Sequence, residues 1–122
     1  MEGGEMNIER WPGSAAGRSR ASALGQLLWL VANATDPAAD FRGQVTQTLA
    51  AMDDALGAAG SNRARLISIQ VLLADMGNKT VFDEIWLTWI GQNRASWPQR
   101  SCLQVGLAPG LLVEIVAIAA RD

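Results

Sequence analysis

Residues 97–120 read WPQRSCLQVGLAPGLLVEIVAIAA, and the architecture turns on them. Two runs of strand length, Gln99 to Leu107 and Leu111 to Ala120, flank Ala108-Pro109-Gly110, whose Pro and Gly punctuate a turn. The pattern predicts a terminal hairpin. Its second run is apolar on both parities, with Glu114 as the one ionised group. An antiparallel strand with one wet face alternates polar and apolar residues; a run apolar on both faces is covered on both.

The same feature recurs upstream. Gln26 to Asn33 is a compact apolar run, and Gly25 joins it to Gly17–Leu24 by a tight hairpin. In Gly17–Leu24, Arg18 and Arg20 are expected on one side and Ser19 and Ala21 on the other. Asn7 to Trp11 is a short edge strand closed by Trp11-Pro12-Gly13, and residues 1–6 are a flexible lead. Phe41, Val45, Leu49, Met52, Leu56 and Ala59 trace one stripe of a helix, with Asp40 as its N-cap and Gly60 as its left-handed C′ residue. Gly43 and Gly57 each weaken that helix by about 1 kcal/mol relative to Ala, less than the buried stripe contributes. Leu66 to Ala74 is a strand. Asp75 to Asn78 is a turn, with Asn78 capping a second helix whose stripe is Val81, Phe82, Ile85, Trp86, Trp89 and Ile90, and Gly91 ends that helix.

The order is β-β-β-α-β-α-β-β, one α+β domain over residues 1–122. Each helix has a single apolar stripe, so both can lie on one sheet face. The other face is apolar too, which predicts burial against further copies of the chain; the alternative is a twisted sheet that curls onto itself.

Composition excludes much chemistry. Among 122 residues there is no His and no Tyr, so a triad or metal site built on His is impossible; the single Cys102 forms neither an internal disulfide nor a Cys-x-x-Cys site. A net charge of −2 gives no footprint for nucleic acid, and Arg63 and Arg65 flank a turn where solvent explains them. The N-terminal segment has neither a basic leader nor an apolar core. The longest apolar run, Leu27 to Ala32, falls far short of the ~20 residues that span a bilayer. A cytoplasmic protein without membrane contact is expected.

The candidates are therefore few. Arg100 lies among Leu103, Val105 and Leu107, where a guanidinium needs an anionic partner. Its planar fork suits a carboxylate. Cys102, two residues on, shares its side of the sheet and reads more as a small buried hydrophobe than as a nucleophile. Two readings of Arg100 and Glu114 stay open. They are an ion pair across the terminal hairpin, or they are a site in which Arg100 grips a ligand carboxylate while Glu114 handles water or a proton. Trp86 and Trp89 belong to the helical stripe; Trp97, beside Pro98, is placed to wall a pocket.

Trp97-Pro98-Gln99-Arg100-Ser101-Cys102, then Leu107-Ala108-Pro109-Gly110 and Val113 to Ala120, resembles the C-terminal signature of the RidA/YjgF family of reactive intermediate (enamine/imine) deaminases. Gln44 to Leu49 with Ala58-Ala59-Gly60-Ser61, and Leu72 to Met76, are similar to its first helix and to the strand and turn before its second. The resemblance covers about residues 17–121. It implies a chorismate-mutase-like fold, a six-stranded mixed sheet with two helices on one face, and a homotrimer with sites between subunits. It also implies no metal and no organic cofactor. Position by position, Arg100 matches the arginine that binds the substrate carboxylate, Glu114 the acid that positions water, and Cys102 a cysteine whose backbone borders the ligand. Arg18 stands where the best-known branch has tyrosine, Val31-Ala32 where it has Ser-Gly, and Asp83 where it has asparagine. Aligning the last hairpin needs one residue removed.

The implied activity is hydrolysis of small 2-imino or enamino acids to 2-oxo acids and ammonia, with Arg18, Val31, Ala32, Trp97 and Cys102 around the substrate. The alternative is a non-catalytic trimer that binds a small carboxylate metabolite or a partner protein. RNA cleavage, a label some family members carry, is disfavoured by the acidic charge and the missing His.

Overall fold

The computed structural model describes residues 7–122; the expected N-terminal lead lies outside them. Strands β1 (Glu9–Pro12), β2 (Ser19–Leu24) and β3 (Leu27–Asn33) precede helix α1 (Phe41–Ala58). Strand β4 (Leu66–Leu73), helix α2 (Lys79–Ile90), β5 (Gln99–Gln104) and β6 (Val113–Ala120) follow, with short 3-10 turns at Arg63–Arg65, Met76–Asn78 and Arg94–Ser96. All six strands form one mixed sheet in the order β1-β2-β3-β6-β4-β5.

Local chemistry explains the helix limits. The Asp40 carboxylate accepts from the Gly43 N–H at 2.8 Å, satisfying a first-turn donor that no helical carbonyl can reach. At the far end the Ser61 N–H donates to Leu56 O at 2.8 Å across Gly60, whose φ of +79° suits a residue without a Cβ. The second helix departs from expectation. Asn78 makes no side-chain cap; Asp75 instead accepts from the Gly77 N–H, capping the 3-10 turn that leads into α2.

The terminal hairpin does not form. β5 pairs in parallel with β4, and β6 pairs antiparallel with β3 and with the other edge of β4. A parallel neighbour needs a crossover, and α2 supplies it. This carries β5 to the outer edge, so Ala108-Pro109-Gly110 lies in a connection across the end of β4. β5 accordingly stops at Gln104 and β6 starts at Val113, inside the expected spans.

Gln44 holds that connection. It is fully buried. Its Nε2 donates towards Pro37 O, Ala39 O and Gly110 O, and its Oε1 accepts from the Leu112 N–H at 2.9 Å. Gly110 (φ +83°) lies so close to Pro37 that an added Cβ would meet its atoms at 3.0–3.1 Å.

Alternation sorts the side chains into two layers. Leu28, Leu30, Ile69, Val71, Leu73, Val113 and Ile115 are buried in the same core as Val45, Met52 and Leu56 of α1 and Phe82 and Trp86 of α2. Full burial of a side chain such as Leu56 or Phe82 contributes about 1.5–3 kcal/mol. The opposite face leaves Leu27, Trp29, Val31 and Leu103 between 38% and 44% exposed. One side assignment changes. Trp11 pairs with Ala21 and Pro12 with Ser19, so Arg20 is the extra residue of a bulge, and its guanidinium reaches Asp54 of α1 at 3.0 Å.

Gln44→Leu should lower stability by about 3 kcal/mol, since three carbonyls and one N–H lose their partner in the interior. Urea unfolding checks this; an unchanged midpoint would show that the amide does not carry the connection.

Candidate functional site

Arg100 is the second residue of the edge strand β5. Its register partner Ile69 faces the buried layer, so the guanidinium enters that layer beneath α2. There Nη2 donates to Asp83 Oδ1 at 2.5 Å, while Lys79 Nζ donates to Asp83 Oδ2 at 2.8 Å. The guanidinium carbon lies 5.3 Å from the Phe82 ring centroid and 5.7 Å from that of Trp86, where a planar cation is attracted to the aromatic face. Arg100 keeps 19% of its side chain exposed and Asp83 33%. Both line a cleft of about 340 Å³ walled by Trp86, Leu87, Ile90, Trp97 and Pro98. Trp97 is thus a pocket wall beside Arg100. Its indole N–H donates to Gly91 O at 2.9 Å, which fixes the ring against the end of α2.

Burial works to raise the Asp83 pKa, but the hydrogen bonds from Lys79 and Arg100 outweigh it, and the carboxyl titrates below its ordinary range. Cys102 shares the Arg100 side, with its sulfur 4.0 Å from that of Met76. Burial pushes this thiol up; Arg100 and Lys79 only partly offset the effect. A thiol held protonated in this way is a packing residue rather than a nucleophile.

Glu114 is elsewhere. Its neighbours Val113 and Ile115 are buried beneath the helices, so Glu114 stands on the open face, opposite Asn33 and Leu72. Asn33 Nδ2 donates to Glu114 Oε1 at 3.4 Å. β4 lies between Glu114 and the strand of Arg100, and the two side chains leave opposite faces of the sheet. The expected ion pair across a hairpin is therefore excluded: they are neither neighbours nor on one face. Val31 and Asn33 share the Glu114 face by register, and both line a hollow of about 220 Å³ with Arg18 and Arg20; Glu114 does not line it. Ala32 turns the other way and is buried beneath α1.

The candidate residues thus fall into two separate groups. Arg100 and Trp97 line one cleft with Cys102 nearby; Glu114 and Val31 stand on the other face, and Arg18 lines the hollow beside Val31. Asn33 escaped sequence reasoning, and its place opposite Glu114 follows only from the β3–β6 register. Among the described residues no cluster of His, Cys, Asp or Glu could hold a metal, and no helix is long and apolar enough to cross a membrane. Arg63 forms two hydrogen bonds to Asp53 and lies over Trp89, and Arg65 pairs with Asp122, so neither arginine is an idle surface charge.

The folded chain binds the Asp83 carboxylate form better than the unfolded chain does. The stability from this pair is fully present above the unfolded carboxyl value, about 3.9, and is lost as acid protonates Asp83 in the folded state. Asp83→Asn should flatten the acid limb of the stability curve, as thermal unfolding between pH 5 and pH 2 (roughly the range of carboxyl titration) would report. Cys102 should react with a disulfide reagent at pH 8 more slowly than an unstructured thiol; an equal rate would contradict its burial.

Comparison with known proteins places the chain. A family profile described as endoribonuclease L-PSP matches residues 23–121. A RutC family protein of Haemophilus ducreyi is 33% identical over 87 residues, spanning 70% of this chain and 73% of that protein. TdcF of Escherichia coli, provisionally named a reactive intermediate deaminase, is 30% identical over 85 residues, 69% of this chain and 66% of its own. Among solved structures, a protein of Pseudomonas aeruginosa is similar with a TM-score of 0.86 at 29% identity, covering 95% of this chain and 100% of that one. A YjgF family member of Neisseria meningitidis gives 0.82 at 27% identity, over 96% and 97% of the two chains. The profile takes in both strands that carry Arg100 and Glu114, and the sheet beneath them has the neighbours' chorismate-mutase-like form: this chain belongs to the RidA/YjgF family.

Proposed function

We propose that the chain is a reactive intermediate deaminase that hydrolyses small 2-imino or enamino acids to 2-oxo acids and ammonia. One observation carries the reading. A guanidinium seated on two aromatic rings opens into a cleft of about 340 Å³ at an unpaired sheet edge, where a small carboxylate can reach it. The name of TdcF and membership of the family support it at the level of class. The RNA-cleaving label of the profile gains no support from a chain without His whose Arg63 and Arg65 are held in ion pairs.

Arg100 and Glu114 of one protomer face away from each other, so one protomer cannot apply both to one substrate. The reading therefore requires a second copy, with Arg100, Trp97 and Cys102 from one subunit meeting Glu114, Val31 and Arg18 of the next. The apolar open face supports such an assembly. Leu27, Trp29, Val31 and Leu103 form a surface that a monomer rarely leaves in water. A homotrimer is the proposed form.

In the proposed reaction the substrate carboxylate sits on Arg100 and the C=N carbon faces a water held by Glu114. Glu114 takes one proton as the water oxygen bonds to carbon, giving a carbinolamine. With the imine protonated at the start, the proton on Glu114 passes to the carbinolamine nitrogen. Glu114 then takes the hydroxyl proton as the C=O bond forms and the C–N bond breaks. Ammonia leaves, taking that proton from Glu114, with a 2-oxo acid as product. Orientation of a bound electrophile supplies much of the gain, and the proton transfer about 10²–10⁴-fold.

Semicarbazide trapping of freshly generated 2-iminobutanoate tests this. The wild-type chain should suppress semicarbazone formation, and Arg100→Ala should lose about 100-fold in kcat/KM, the scale of a charge-assisted contact. Equal yields with both proteins would end the proposal. Mixing Arg100→Ala with Glu114→Gln subunits should restore part of the activity, since some interfaces then combine an intact Arg100 with an intact Glu114. No recovery would contradict the shared site. The non-catalytic alternative, favoured by Arg18 and Val31 at substituted positions, predicts thermal stabilisation by 2-oxo acids with no turnover by any protein.

A further inference from the structure

Asp83 carries chemistry that the carboxylate-binding role of Arg100 does not explain. It lines the same cleft and lies between two cations, with Oδ1 on Arg100 and Oδ2 on Lys79. A carboxylate has about four acceptor sites, so these two bonds leave each oxygen able to accept one more. The cleft therefore offers a ligand two opposite charges side by side: the remaining N–H groups of Arg100 and the remaining lone pairs of Asp83. A ligand that brings only a carboxylate meets an anion beside its cation. A ligand whose carboxylate is flanked by an N–H cation satisfies both.

We infer that Asp83 is a specificity residue, which makes the Arg100 cleft select zwitterions, a carboxylate next to a protonated imine or amine, over plain 2-oxo acids. This rests on the reading of the cleft as the carboxylate site. The chemistry separates substrate from product. A protonated 2-imino acid presents N–H donors to Asp83. The 2-oxo acid formed from it presents a carbonyl oxygen instead, which is an acceptor facing an acceptor, and it is rejected on that ground. Asp83 remains ionised for this task because Lys79 and Arg100 hold its carboxyl below the ordinary range. Arg100 remains positioned because the aromatic rings support it independently of Asp83.

Calorimetric titration of the intact protein with 2-aminobutanoate, a stable zwitterion, and with 2-oxobutanoate tests the inference at neutral pH. The wild-type chain should bind the amino acid more tightly. Asp83→Asn, of nearly the same shape, should shift the ratio of the two dissociation constants by about tenfold towards the oxo acid, the loss of one charge-assisted contact. Lys79→Met, which leaves Asp83 and Arg100 in place, should keep the wild-type order of preference. A ratio unchanged in Asp83→Asn, while Arg100→Ala still abolishes binding of both ligands, overturns the inference and leaves the carboxylate site standing. Binding unaffected by Arg100→Ala, or no binding to the wild-type chain, removes both.

Discussion

Between β5 and β6 the chain must cross the end of β4, and a single buried side chain, Gln44, satisfies the backbone groups that this crossing would otherwise strand. Its amide reaches the loop before α1 through Pro37 and Ala39, and the crossing itself through Gly110 and Leu112. A buried carbonyl without a donor is costly, so this one amide allows irregular chain to run over the core. The crossing lets β4 keep β5 on one edge and β6 on the other. From that order follow the edge position of Arg100, the central position of Glu114 and the separation of the two by a strand and by the thickness of the sheet.

The electrostatics around Arg100 follow from the same arrangement. A guanidinium directed into an apolar layer must be paired. Here the pairing comes from α2, the crossover element that β5 requires in order to lie parallel to β4. Phe82, Asp83 and Trp86 are near neighbours on that helix, so the residues that steady Arg100 and the residue that neutralises part of its charge arrive together. The carboxylate of Asp83 makes this cleft a dipolar one. The open face has the opposite character: apolar residues surround Glu114, which has one amide partner, Asn33.

Much of this was legible in residue order. The α1 stripe, the Asp40 cap and the Gly60 exit rest on contacts within a few residues, and the structure reproduces them. The resemblance carried by Trp97 to Cys102 and Val113 to Ala120 led to the family. The hairpin reading failed for a physical reason: Pro and Gly mark where a chain turns but not which strand it meets next. Leu66 to Leu73 gave no warning, since Ile69, Val71 and Leu73 alternate with Ser68, Gln70 and Leu72 as they would in a strand at either place in the sheet. The bulge at Arg20 likewise reversed a side that simple alternation had assigned.

Local periodicity, caps and turn residues were enough to determine the elements, their order, the two-faced apolar sheet and the identity of Arg100 and Glu114 as the unusual charges, because each depends on neighbours in the chain. Strand order, the opposite facing of those two charges, the Asp83 partnership and the Asn33 contact were decided only by the tertiary structure. They depend on register between segments far apart in sequence, and a shift of one residue in register moves a side chain to the other face.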